Sequence, residues 1–144
     1  MPKVTYDTNV FVDYSPAYFP TGFLMSAVVI QELAAGALDR ARLRELEGIR
    51  RSYEREQRLL LPNGEDWYLA GRILNSLYRG SATARRGSRV RISKQDQQRI
   101  LRDVLIARSA RRMNVTIITS NVRDFEMIQP YCAVNVEHPR DFFR

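Results

Sequence analysis

Four consecutive β-branched residues, Val115-Thr116-Ile117-Ile118, constrain the fold of this chain more than any other feature. A strand with one wet face alternates apolar and polar side chains, so a run with almost no polar relief needs cover on both faces. The residues before it, from about Lys94 to Met113, place Ile100, Leu101, Val104, Leu105 and Ala107 on one apolar side at helical spacing. A helix that leads into a doubly covered strand is the building unit of a parallel sheet. A second β-prone stretch, Val4-Thr5-Tyr6, runs into Asp7-Thr8-Asn9, residues that stop a strand and cap a helix. The expectation is an α/β fold: a mostly parallel central sheet flanked by helices.

The rest of the chain supplies the covering helices. Residues 26–37 are helical in composition, with Ser26 as N-cap. A long helix is expected from Asp39 to about Leu60, with the stripe Leu43, Leu46, Ile49, Tyr53 and Leu60 broken only across Gln57. Glu47/Arg51 and Glu54/Arg58 are spaced to pair along its wet face. Pro62-Asn63-Gly64 breaks the chain before a helix carrying Trp67, Ala70, Leu74, Leu77 and Tyr78. Residues 80–93 read as a loop rich in Gly, Ser and Arg, a short helix is expected after Thr119-Ser120-Asn121, and residues 133–136 read as a last strand. No repeat or linker divides the chain, so residues 1–144 are expected to form a single domain.

Composition narrows the chemistry. The net charge of +7 is almost all arginine, since Lys3 and Lys94 are the only lysines. The planar guanidinium suits phosphate and points towards nucleic acid; the competing reading is a basic surface that serves solubility. No apolar run is as long as a membrane span, and the lone Cys132 rules out an intrachain disulfide, so a soluble chain with no cleaved signal, in the reducing cytoplasm and away from membranes, is expected. A single histidine, His138, excludes a two-histidine ribonuclease mechanism, and with one cysteine no His- or Cys-rich zinc site can form. Nucleophile elbows, P-loops and dinucleotide-binding glycine runs are all missing. Any enzyme here has to work through carboxylates.

Four acids stand where structure alone does not ask for one. Asp7 follows a strand, the position at which open α/β sheets build sites; as a structural residue it would be a cap or turn. Glu32 shares a helix face with Val28 and Val29, where a carboxylate is costly without a partner; at the edge of that face it would reach solvent. Asp103 lies three residues after Ile100 and four before Ala107, and Asp is a poor residue in mid-helix; a salt bridge to Arg99 would account for it. Asp124 lies just past the second strand, where it could cap a helix. Taken together, two acids at strand ends and two on inward helix faces can meet in one place. Such a cluster repels itself unless a divalent cation joins it, and all-oxygen ligation selects Mg²⁺ or Mn²⁺ over zinc.

The motifs carry a resemblance to a known family. Val4-Thr5-Tyr6-Asp7-Thr8-Asn9 is similar to the opening motif of PIN domains, and Ser26-Ala27-Val28-Val29-Ile30-Gln31-Glu32-Leu33 resembles the second. Asp103-Val104-Leu105-Ile106-Ala107 resembles the third, and Thr119-Ser120-Asn121-Val122-Arg123-Asp124-Phe125 the closing one, all in the family's order across nearly the whole chain. The compact length and the stretch from Pro62 to Tyr78 look like the VapC toxin branch. The resemblance implies a PIN-like three-layer sandwich and a Mg²⁺-dependent ribonuclease that leaves 5′-phosphate and 3′-hydroxyl ends. Asp7, Glu32, Asp103 and Asp124 would be the catalytic, metal-holding acids, steadied by Asn9, Thr119 and Asn121. Many relatives carry an acid in place of Asn121, which leaves the number of metal ions open. The partners implied are RNA, a cognate antitoxin protein that covers the active site, and a second copy in a homodimer.

Two further groups are expected to meet RNA. Arg85, Arg86, Arg89 and Arg91 are candidates for a backbone-binding patch, against the alternative of a solvated loop. Tyr14, Tyr18 and Phe19 would either stack bases or serve the core or an interface. The rival functions are a catalytically inactive PIN-like module that binds RNA or protein, and a DNA-binding regulator, for which no helix-turn-helix is found.

Overall fold

Two strand ends placed side by side organise the molecule. The structure is a computed structural model and describes residues 3–83 and 93–144. β1 (Val4–Tyr6) pairs in parallel with β4 (Thr116–Ile118), which pairs in parallel with β5 (Val136–Glu137). β2 (Met25–Ser26) and β3 (Leu59–Leu60) make a second parallel pair, tied to β1 by a parallel bridge between Thr5 and Leu24. Parallel neighbours need long crossovers, and the helices supply them: α1 (Thr8–Asp13), α2 (Ala27–Ala35), α3 (Arg40–Arg55), α4 (Gly64–Thr83), α5 (Lys94–Arg112), α6 (Val122–Ile128) and α7 (Pro139–Phe142). The sheet is parallel and flanked by helices, as the β-branched run demands.

Ile117 and Ile118 show why that run carries no polar alternation. Ile117 packs in the larger core with Val29, Val104 and Phe125, while Ile118 packs in a second core with Val4, Tyr6 and Val10. Successive side chains on a strand point to opposite faces, so both faces of β4 are buried. The second core is aromatic. Tyr6 stacks on Phe19 at 4.4 Å between centroids, and Phe11, Phe23, Phe142 and Phe143 close around it. Phe19 and Tyr14, which packs against Phe143, therefore belong to packing, whereas Tyr18 is exposed.

The structure differs from the expected elements where local geometry competes with periodicity. α3 ends at Arg55 rather than near Leu60, because Gln57 adopts a left-handed conformation (φ 58°) and Arg58 N–H turns back to the Tyr53 carbonyl at 2.7 Å. The guanidinium of Arg58 then lies over the Tyr53 ring and donates to the Phe23 carbonyl at 2.8 Å. This anchors Leu59–Leu60 as a strand beside Met25–Ser26. The expected Glu54/Arg58 pair is consequently replaced by Arg50–Glu54 and Arg58–Glu56, while Glu47–Arg51 forms as spaced. Trp67 points outward from α4, and Ala70 and Ile73 take the inner positions. The last strand is Val136–Glu137, shifted along from residues 133–136. α4 continues to Thr83, beyond the expected start of the loop at residue 80.

The caps follow their chemistry. Ser26 Oγ accepts from Val29 N–H, and Asp39 Oδ1 accepts from Arg42 N–H at 2.8 Å. His138, the single histidine, caps α7 through Nδ1. Asp39→Ala is expected to cost about 1 kcal/mol and lower the melting temperature by roughly 3 °C, as measured by thermal circular dichroism. An unchanged melting temperature would remove the cap from the account of α3.

Candidate active site

Asp7 stands at the carboxyl end of β1 and Thr119 at the carboxyl end of the neighbouring β4. Here the connection from β1 leads away to β2 on one side, while β4 lies on the other, and crevices of this kind hold ligands in open α/β sheets. The Asp7 carboxylate is only 5% exposed and closely held. Its Oδ1 accepts from Thr8 N–H at 2.8 Å, and its Oδ2 accepts from Thr119 Oγ1 at 2.7 Å and Asn9 Nδ2 at 3.2 Å. Asn9 also accepts from Ser120 N–H at 3.1 Å, and Thr119 Oγ1 accepts from Asn121 N–H at 3.0 Å. The loop after β4 is thus tied to the loop after β1. A carboxylate offers about four acceptor sites, so Oδ1 keeps one open.

Glu32 and Asp103 reach the same place from α2 and α5. An open pocket of about 360 Å³ is lined by Asp7, Asn9, Glu32, Asp103 and Asn121, with Arg99, Arg102 and Asp13 at its walls. Asp103 is 9% exposed, and no hydrogen bond or ion pair is formed by its carboxylate among the described residues. Desolvation, followed by the charges of Asp7, Asp124 and Glu32, pushes its pKa up to about 8. The Glu32 carboxyl is also raised, first by burial and then by Asp7, against the pull of Arg102. Arg102 Nε lies 3.5 Å from Glu32 Oε1, so Glu32 is paired, while its side chain stays partly exposed at the edge of the helix face.

Asp124 stands apart from the other three. It lies in the first turn of α6, does not line the pocket, and pairs with Arg99 Nη1 at 2.7 Å. It is near enough to raise Asp103 by its charge. Arg99, the partner that Asp103 could have claimed, goes instead to Asp124 and Asp96. Among the described residues no three acidic, His or Cys side chains already stand close enough to share one ion. The donor set is nevertheless entirely oxygen, and Asp103 is a buried carboxylate with no hydrogen bond or ion pair among the described residues, offset only by the charge of nearby Arg99, which together fit a hard divalent cation. Asp13 joins the pocket from the end of α1, although its place in the sequence carries no periodic signal. Arg85, Arg86, Arg89 and Arg91 lie outside the described residues.

The fold is that of the PIN-like α/β sandwiches, as comparison with solved structures shows. A chain of the DNA-bound VapBC structure from Salmonella typhimurium superposes with a TM-score of 0.61 at 18% identity, covering 96% of this chain and 98% of that one. VapBC-1 from nontypeable Haemophilus influenzae gives 0.59 at 21% identity, covering 94% and 96%. FitAB bound to an IR36 DNA fragment gives 0.58 at 17% identity, covering 94% of each chain. No protein-family model matches the chain, and no curated protein matches it in sequence. Among the described residues no helix is long and apolar enough to cross a membrane.

Proposed function

We propose that this chain is a Mg²⁺- or Mn²⁺-dependent ribonuclease that acts as the toxin of a toxin–antitoxin pair. The observation that carries the reading is Asp103: a nearly buried carboxylate, unpartnered among the described residues, facing Asp7 and Glu32 in one pocket at the strand ends. Asp7, Glu32 and Asp103 would hold the ion, and Asp124 would join only by releasing Arg99. When bound, such an ion lowers the pKa of its water and offsets the charge of the phosphate. Asp7 presents Oδ1, because Thr119 and Asn9 together occupy Oδ2. Glu32 has Oε2 outside the Arg102 contact and a raised proton affinity, which suits it to accept a proton there. Thr119→Val would loosen Asp7, and the expected result is a divalent-ion affinity about 10–100-fold weaker by calorimetry.

The partners belong to the same reading. The solved neighbours are VapBC and FitAB assemblies, which supports a cognate antitoxin protein that covers this chain. The chain is further proposed to pair as a homodimer and to act in the cytoplasm. The basic charge of +7 supports RNA as the substrate. A second reading, an inactive module that binds RNA or protein, is favoured by one fact: Arg99 and Arg102 already neutralise Asp124 and Glu32. Purified protein incubated with total RNA separates the two. Cleavage in Mg²⁺ or Mn²⁺ that stops with EDTA supports the nuclease, and cleavage that persists undiminished in EDTA refutes the metal mechanism. Intact RNA in every divalent ion leaves the binding module.

A further inference from the structure

Arg99 and Arg102 are one turn apart on α5, and both line the carboxylate pocket, yet their surroundings set them to different tasks. Arg99 is already engaged: Nη1 meets Asp124 at 2.7 Å and Nη2 meets Asp96 at 3.5 Å. Arg102 touches Glu32 only through Nε, at a loose 3.5 Å, and its two Nη groups have no partner among the described residues. Its side chain is 39% exposed at the mouth of the pocket. We propose that Arg102 is the phosphate-gripping residue of this site, presenting the open fork of its guanidinium to the substrate backbone beside the acids. The proposal rests on the reading of the pocket as a phosphodiester-cleaving site.

Charge makes such a residue necessary. A pocket lined by Asp7, Glu32, Asp103 and Asp13 repels a polyanion, even with part of that charge offset by a divalent ion. A cation at the rim draws the backbone in and sets its orientation. A guanidinium does so with two parallel hydrogen bonds to phosphate oxygens, which an ammonium cannot match. The loose contact to Glu32 keeps the group over the pocket without using up the fork. Among the described residues, neither Arg99, held by two carboxylates, nor the rest of the pocket lining offers a free cation there.

The test uses a fluorescein-labelled single-stranded RNA bound in Ca²⁺ across a salt series, with cleavage in Mg²⁺ followed separately. Arg102→Gln is expected to weaken binding about tenfold and to reduce the slope of log K against log salt by about 0.7, the loss of one phosphate contact on a single strand. Arg102→Lys should keep the slope and recover only part of the affinity. Arg51→Gln, on the wet face of α3, controls for net charge and should change neither quantity appreciably. Unchanged affinity and slope in Arg102→Gln, or an equal loss in Arg51→Gln, overturns the role of Arg102 while the nuclease reading stands. Wild-type protein that neither binds nor cleaves RNA overturns the reading of the pocket itself, and the role of Arg102 with it.

Discussion

Asp7→Asn and Asp103→Asn are each expected to reduce Mg²⁺-dependent RNA cleavage by about 10³-fold or more, the scale on which a principal electrostatic contact to a reacting centre is lost. Both changes keep the shape of the side chain and remove its charge. An amide at position 7 still accepts a hydrogen bond through its oxygen, so the ties to Thr8 and Thr119 can survive in part. An amide at position 103 disturbs no hydrogen bond, since none is formed there among the described residues. Far-ultraviolet circular dichroism should therefore match wild type in both variants while single-turnover cleavage collapses. Asp124→Asn is expected to cost much less, because Asp124 is paired with Arg99 and lies outside the lining of the pocket. Full activity in both Asp7→Asn and Asp103→Asn would exclude the assigned roles.

The strands that build this site are readable because their patterns have no rival. Val115 to Ile118 admits only a doubly buried strand, and Val4-Thr5-Tyr6 ends at polar caps, so the α/β class and the position of Asp7 follow from sequence. β2 and β3 are not readable, being two residues each: β2 ends on the N-cap of α2, and β3 falls within the apolar stripe of the long helix expected up to Leu60. What ends α3 is one left-handed residue, Gln57, and an arginine stacked on Tyr53, and neither leaves a mark in an apolar stripe. The acids show the same division. Asp103 on an apolar face is visible as an anomaly, and it is buried. Asp66 is more deeply buried still, yet it is a structural acid, paired with Arg112 at 2.9 Å and Arg108 at 3.4 Å. The partners of a carboxylate decide its role, and they stand 42 and 46 residues away in the chain. For the same reason the pairings of Arg99 and Arg102 with Asp124 and Glu32 emerge only from the fold.

Without a divalent ion, Asp103 should make the folded protein lose stability as pH rises from about 4 to about 8. The folded carboxyl keeps its proton up to about 8, whereas in the unfolded chain it ionises near its ordinary value of 3.8. Between those limits the native state binds the extra proton, so the free energy of unfolding falls by about 1.4 kcal/mol per pH unit from this group. The contribution is fully present below pH 3.8 and lost once the pH has passed about 8. The total is on the order of 6 kcal/mol at most, part of which side-chain rotation and entering water relieve. Asp103→Asn removes the titration at the cost of an amide with few partners, so the metal-free variant should melt at least ~5 °C above wild type at about pH 8, with the difference vanishing towards about pH 4. The difference between the two melting curves isolates Asp103 from every other titrating group. Added Mg²⁺ should then stabilise wild type at about pH 8 by about 2.7 kcal/mol at roughly 100 times its dissociation constant, and leave the Asp103→Asn variant nearly unmoved. Parallel pH profiles for the two proteins, with no Mg²⁺ shift in either, would remove Asp103 from the centre of the site.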